Sequence, residues 1–281
     1  MRVALLEPGF IRKWDNLNSI SNFISLNQNY SIDVYMHTYD FTGFEHKETT
    51  DKNLIKESQE VTVNNILSKF NNVYRIEVRP YHQVWNHIYS YFRKNNFNLK
   101  KSPEGVLEKW NKKANTNETE LTLLHKIYAQ WFMVYETYKL VNGKDYDIII
   151  RSRFDYDISK MDLSKYSIEK NTIYAKTRDE LKDVFGKIHY DGFAMGDKDS
   201  MDKYLKVGSE NGFYDAIENS NLESERFYHW KGKDIKLSSE AMITNWSHNY
   251  HKLKLKEISN DHLPGDIVMR EQKLYDGKKK V

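Results

Sequence analysis

The sequence predicts an α/β fold, a mostly parallel sheet with helices on both faces. Three observations predict it. Between residues 3 and 78, short apolar runs alternate with stretches of helical spacing. A β-branched triplet, Ile148-Ile149-Ile150, has the unbroken apolar character of a central strand covered on both sides. A long amphipathic stripe leads directly into that triplet.

In order along the chain, Val3-Ala4-Leu5-Leu6 is a buried strand that ends at Pro8-Gly9. Apolar residues at 17, 20, 23, 24 and 26 give a helix, and Ile32-Asp33-Val34-Tyr35-Met36 a second strand closing in His37-Thr38-Tyr39-Asp40. A helical stretch near Leu54–Phe70 precedes a third strand, Val73–Val78. Asn115-Thr116-Asn117-Glu118 has the form of a capping box. After it, Leu124, Ile127, Tyr128, Trp131 and Tyr135 form one apolar stripe, with Asn142-Gly143 as the stop. Tyr146–Ile150 is the fourth strand. Beyond residue 160, Thr172–Ala175 and Gly192–Met195 read as short strands and Ser200–Val207 as a short helix. Ser238 caps a helix carrying Met242, Ile243 and Trp246, and Leu253–Ile258 alternates with Lys and Glu like an edge strand. No repeat, low-complexity tract or linker divides the 281 residues, so one domain is expected.

Composition narrows the function classes. Hydrophobic residues make up 39% and aromatics 14%, enough for a core, and the net charge is only +3. The one dense basic run is Lys278-Lys279-Lys280, so general binding to nucleic-acid phosphates is disfavoured. Cysteine is absent, which removes disulfides, thiol catalysis and thiolate zinc sites. The apolar run at the start is shorter than the ~7–15 residues of a signal peptide, and no stretch reaches the ~20 of a membrane span. A soluble, cytoplasmic protein is expected.

Ligands in open α/β sheets bind beyond the carboxyl ends of the strands. Three such ends carry polar residues: Gly9 to Arg12, His37 to Asp40, and Arg151 to Asp157. Glycine lets backbone approach a ligand, and Arg12, Arg151 and Arg153 offer planar forks suited to phosphate oxygens. On an extended backbone Asp155 and Asp157 point to one side, where carboxylates suit Mg²⁺ or Mn²⁺. Together these residues suggest a diphosphate–metal site. Partly solvated salt bridges at a strand end are the competing reading of the same residues. Tyr81, Trp85, Tyr89 and Tyr91 offer rings for sugar stacking, but their helical spacing reads as packing, and Gln130 and Tyr138 read as structural.

The same segments resemble the GT-A-type glycosyltransferases, in particular small bacterial and viral polysaccharide or capsule enzymes. The likeness lies in Val3–Arg12, in Asp33–Asp40, and most closely in Tyr146–Asp155, a YD-apolar-R-x-R-x-D pattern. It continues through Asp191-Gly192-Phe193-Ala194-Met195-Gly196 and Ser239-Glu240, covering about residues 1–250. The resemblance implies a Rossmann-type mixed sheet whose residues 1–157 hold a nucleotide-diphosphate sugar and whose residues 158–281 face a glycan acceptor. It implies donor contacts at Gly9, Arg12, His37, Asp40, Arg151 and Arg153. It further implies Mn²⁺ or Mg²⁺ on Asp155 and Asp157, with His262 preferred over His248 and His251 as a third ligand. Phe154 departs from the pattern, since many members place an acid or small residue there, and this leaves open a ribose contact for Asp155. For proton transfer Glu240 and Asp191 are the candidates, Asp191 on the acceptor side.

Two other classes fit the same residues: a nucleotide-sugar hydrolase or nucleotidyltransferase, and a carbohydrate-binding protein without turnover. Phosphate loops of the G-x-x-x-x-G-K-[ST] and G-x-G-x-x-G types are absent, as is the G-x-S-x-G nucleophile turn.

Overall fold

The computed structural model describes residues 1–11, 14–42, 59–95, 120–141, 143–178, 188–218, 229–230, 233–234, 239–259, 261–263 and 265–266. Arg12, the capping box at 115–118, Asn142, Ser238 and the lysine run at 278–280 lie outside them, as do residues 54–58 of the second expected helix.

The opening alternation is realised as expected. Strand β1 (Arg2–Pro8) is followed by α1 (Leu17–Leu26), β2 (Ser31–Tyr39), α2 (Val63–Lys69) and β3 (Arg75–Arg79). Next come α3 (Tyr81–Lys94), α4 (Glu120–Lys139), β4 (Ile148–Ser152) and a two-residue strand β5 (Tyr156–Asp157). The later part holds β6 (Thr172–Arg178), β7 (Ile188–Gly196), α5 (Lys198–Leu205) and α6 (Glu210–Glu218). The short strands β8 (His229–Trp230) and β9 (Lys233–Asp234) then lead to α7 (Ser239–Thr244), a π-helical turn Asn245–Tyr250, β10 (Lys254–Glu257) and β11 (Gly265–Asp266).

Seven strands form one mixed sheet in the order β10-β6-β7-β4-β1-β2-β3. β1, β2, β3 and β4 are parallel, and β7 pairs antiparallel with both β4 and β6. The mostly parallel sheet inferred from the sequence is therefore present, and the Lys/Glu-rich β10 does lie at its edge.

Strand alternation sends Val3 and Leu5 to one face, against Leu17, Ile20 and Phe23 of α1 and Ile66 of α2. It sends Ala4 and Leu6 to the other face, against α3 and α4. Both faces are thus covered, which explains the nearly unbroken apolar character of β1 and β4.

Helix α4 departs from a one-sided stripe. Besides Leu124, Ile127, Tyr128 and Trp131, the residues Ala129, Phe132, Met133, Val134, Glu136 and Thr137 are also buried. The sheet covers one side of α4, while α3 and the turn Lys206–Gly208 cover others. At that turn the backbones nearly touch: a Cβ on Gly208 would lie 1.9 Å from the Trp131 carbonyl oxygen. Only a residue without a side chain fits. The Gly208→Ala variant is expected to lose about 3 kcal/mol, lowering the thermal midpoint by roughly 6–10 °C, measured by calorimetry.

Candidate functional site

The parallel strands β1, β2 and β4 all end at the same edge of the sheet, and there the chain carries its polar residues. Pro8, Gly9 and Phe10 follow β1, Tyr39 closes β2, and Arg151, Arg153, Phe154 and Asp155 end and follow β4; with Lys126, Ala129, Gln130, Met133 and Val134 of α4 they line a cleft of about 190 Å³. Gly9 has a φ of +101°, a left-handed conformation that favours glycine, and its amide donates to the His37 carbonyl at 2.9 Å. That bond fixes the turn at the cleft mouth.

Arg151 is the most unusual side chain in the lining. It is fully buried, and none of its three guanidinium nitrogens has a hydrogen-bond partner among the described residues. Its Cζ lies 5.3 Å from the Trp131 ring centroid, a cation–π contact that offsets part of the lost hydration. Burial lowers its pKa, opposed mainly by the fields of Tyr204 and Asp191.

Arg153, by contrast, is engaged. Its Nε and Nη2 donate to the two carboxylate oxygens of Asp155, both at 2.9 Å, a bidentate fork. Its Nη1 lies 3.6 Å from Asp191 Oδ1. Asp191 arrives because β7 runs antiparallel to β4: Ser152 pairs with Phe193, so the first half of β7 lies beside the end of β4. Gln130 Nε2 donates to Asp191 Oδ2 at 2.7 Å. Burial would raise the Asp191 pKa, but Arg153, Arg151, Gln130 and Ser239 together hold it below the usual carboxylate value.

The remaining expected residues fall elsewhere. Asp155 and Asp157 do not share one extended face, because Tyr156 N donates to Arg153 O at 2.8 Å and closes a tight turn between the strands. Asp155 lines the cleft and Asp157 does not. Asp157 Oδ1 accepts from Ser159 N at 3.1 Å, from Ser159 Oγ at 2.6 Å and from Ser19 Oγ of α1 at 3.3 Å. His262 lies beside Tyr166, its Nδ1 within hydrogen-bonding distance of the Tyr166 hydroxyl, and its Nε2 is 3.4 Å from Lys165 Nζ. Among the described residues no group of three His, Asp or Glu side chains could hold a metal ion. The carboxylates present thus do not fit the expected cation: one is closed by an arginine fork, the other turned to serines.

His37 is fully buried in β2, neither ring nitrogen has a hydrogen-bond partner among the described residues, and burial, helped by Arg79, lowers its pKa to about 3. It is a neutral ring outside the cleft lining. Asp40 is a helix cap: its Oδ1 accepts from Tyr81 N, the first amide of α3, at 3.0 Å. Glu240 stands in the first turn of α7, next to Ser239, whose Oγ accepts from Trp131 Nε1 at 2.8 Å. Arg12 lies outside the described residues.

The sequence reading missed two residues. Gln130 lines the cleft; its signal was a polar residue within the otherwise apolar stretch Ile127–Tyr135 of α4. Glu7 is buried at the end of β1, near Arg151 and Ser152. Burial drives its pKa well above the usual carboxylate range, against the pull of Arg151. A charged residue closing the run Val3–Leu6 was its signal. Tyr138 is structural as read, donating to Asp202 Oδ1 at 2.8 Å.

A depressed folded-state pKa at Asp191 means stability that is present above the unfolded value, ~3.9, and is lost as pH falls through the folded value. The Asp191→Asn variant is expected to be about 3 kcal/mol less stable at neutral pH. Urea titrations across pH are expected to find the gap to the natural chain closing below about pH 4.

No family model matches the sequence, and no curated protein matches it. Three solved structures of similar path are an active-site mutant of LgtC, the galactosyltransferase LgtC with donor and acceptor sugar analogs, and apo mouse xyloside xylosyltransferase 1. Their identities are 9%, 11% and 9%, and their TM-scores 0.41, 0.38 and 0.37. Each alignment covers 92% of this chain, and 73%, 74% and 84% of the respective partner. Likeness at this level decides neither the family of this chain nor its chemistry.

Proposed function

We propose that the chain is a glycosyltransferase that moves a sugar from a nucleotide-diphosphate donor to a glycan acceptor. The observation that carries the reading is Arg151: a permanently charged group, fully buried, without a hydrogen-bond partner among the described residues, and lining a cleft beyond the carboxyl ends of the parallel strands. An unpaired buried guanidinium costs several kcal/mol, which an anionic ligand would offset. Phosphate oxygens match the planar fork of arginine, and Arg153 stands beside it.

In this reading residues 1–157 serve the donor and 158–281 the acceptor, within one domain. The bond from the anomeric carbon to the diphosphate oxygen breaks, and one from an acceptor hydroxyl oxygen forms. The diphosphate leaves with the electron pair, and the hydroxyl proton passes to a base. Arg151 and Arg153 stabilise the negative charge that grows on the departing oxygen. Gly9 and its turn present backbone to the donor. Asp191, kept ionised by its arginines, accepts a hydrogen bond from an acceptor hydroxyl, and Glu240 takes the proton. The cleft is smaller than the ~300–1,000 Å³ of whole ligand sites, so it suits the diphosphate or one ring, with the rest of the donor outside it. No helix among the described residues is long and apolar enough to cross a membrane, in keeping with the cytoplasmic location proposed here.

Incubation with UDP-, GDP-, ADP-, CDP- and dTDP-sugars, with and without oligosaccharide acceptors, tests the reading. Acceptor-dependent release of a nucleoside diphosphate is expected. Release to water alone would make the protein a hydrolase, and binding without release a carbohydrate-binding module. The Arg151→Met variant sharpens the test, since an apolar residue of similar volume removes a buried charge. Stability is expected to be unchanged or higher, while donor affinity falls more than about tenfold by calorimetric titration. Equal donor affinity in a folded Arg151→Met protein would remove the observation on which the reading stands.

A further inference from the structure

We propose that the donor diphosphate is neutralised directly by Arg151 and Arg153, with no bridging divalent cation. This rests on the donor reading above and specifies how that site works. Carboxylates hold a cation through available oxygens, and here both oxygens of Asp155 and Oδ1 of Asp157 already accept hydrogen bonds. Both oxygens of Asp155 accept from Arg153, whose planar fork is the geometric match for a carboxylate. Asp157 is outside the lining and accepts from Ser19 and Ser159. Magnesium beside a phosphate is held by one or two carboxylates, and the one carboxylate in the lining already gives both its oxygens to Arg153.

The charges already present do the work expected of the metal. Among the described residues, the charged side chains lining the cleft are Lys126, Arg151 and Arg153 against Asp155, a net of +2 from three cations less one carboxylate. Asp191 behind Arg153 reduces that to +1. Either balance draws a diphosphate without help. A bridging metal would instead add two positive charges beside a guanidinium that has no hydrogen-bond acceptor among the described residues. The Arg153 fork, held by Asp155, is reached by exchange: phosphate oxygens replace the Asp155 carboxylate, one bidentate acceptor for another.

Calorimetric titration of the unmodified chain with UDP, GDP, ADP, CDP and dTDP, first in EDTA and then in excess Mn²⁺ or Mg²⁺, tests the proposal. At least one diphosphate is expected to bind in EDTA, with an affinity within about twofold of that in either metal. Affinity more than about tenfold tighter with metal overturns the direct clamp and leaves the donor reading standing. Binding of no diphosphate in any of the solutions overturns the donor reading, and the clamp with it. Two variants separate the roles. Arg153→Gln is expected to weaken binding about tenfold equally in EDTA and in metal. Asp155→Asn, which releases the Arg153 fork, is expected to leave affinity unchanged or tighter in both; a loss confined to the metal solutions would identify Asp155 as a cation ligand and overturn the proposal.

Discussion

The burial of Arg151 at the end of β4 is the constraint around which the site is arranged. A guanidinium removed from water keeps its charge at any physiological pH, so its cost has to be met by its surroundings. The structure meets it in part. Trp131 offers its ring face, and Asp191 supplies a field without a hydrogen bond. Trp131 is in turn held by its bond to Ser239, which ties α4 to α7 beside Arg151. A strand of pure Ile would have packed more cheaply; the deviation from that pattern marks where stability gives way to binding.

Topology explains why the neighbouring acid is Asp191 rather than a residue from another parallel strand. A parallel strand at that position would bring its carboxyl end to the cleft. The reversed β7 brings its early residues instead, and Arg153 N donates to Gly192 O at 3.2 Å at this junction. The turn closed by Tyr156 and Arg153 then directs β5 away, toward its antiparallel partner β11. The reversal of β7 and the turn after Arg153 thus separate residues adjacent in sequence into a cleft group and a packing group.

Much of this was legible from residue order. Periodicity located β1, β2, α4 and β4, because burial on both faces leaves a long apolar run, and the strand-end rule located the edge. Legibility failed where side-chain direction depends on a few dihedral angles. Asp155 and Asp157 are two apart, and alternation would align them, but alternation holds only on an extended backbone. Asp40 looked like a ligand contact because its cap target, Tyr81 N, is 41 residues away in sequence. Gln130 looked like packing because a helix pattern cannot reveal which gap between helices stays open. In each case the missing information was tertiary, whereas the strands themselves were specified by local chemistry.

Burial also acts as a filter on charge at this edge of the sheet. The same desolvation opposes the ionised form of Glu7, His37 and Arg151, yet the outcomes differ with the starting pKa. Glu7 is pushed well up, toward its neutral acid. His37 falls to about 3 and is a neutral imidazole. Arg151 is lowered too, but from a starting point so high that its charge persists. Asp191 stays ionised because the fields of Arg153 and Arg151 and the hydrogen bonds of Gln130 and Ser239 outweigh its burial. Among the buried groups near the strand ends, then, low dielectric removes the charges that can be titrated away and retains those of the guanidinium groups and their bound partners. An edge built from such residues has a positive field that pH near neutrality does not alter, and that is the property an anion site requires.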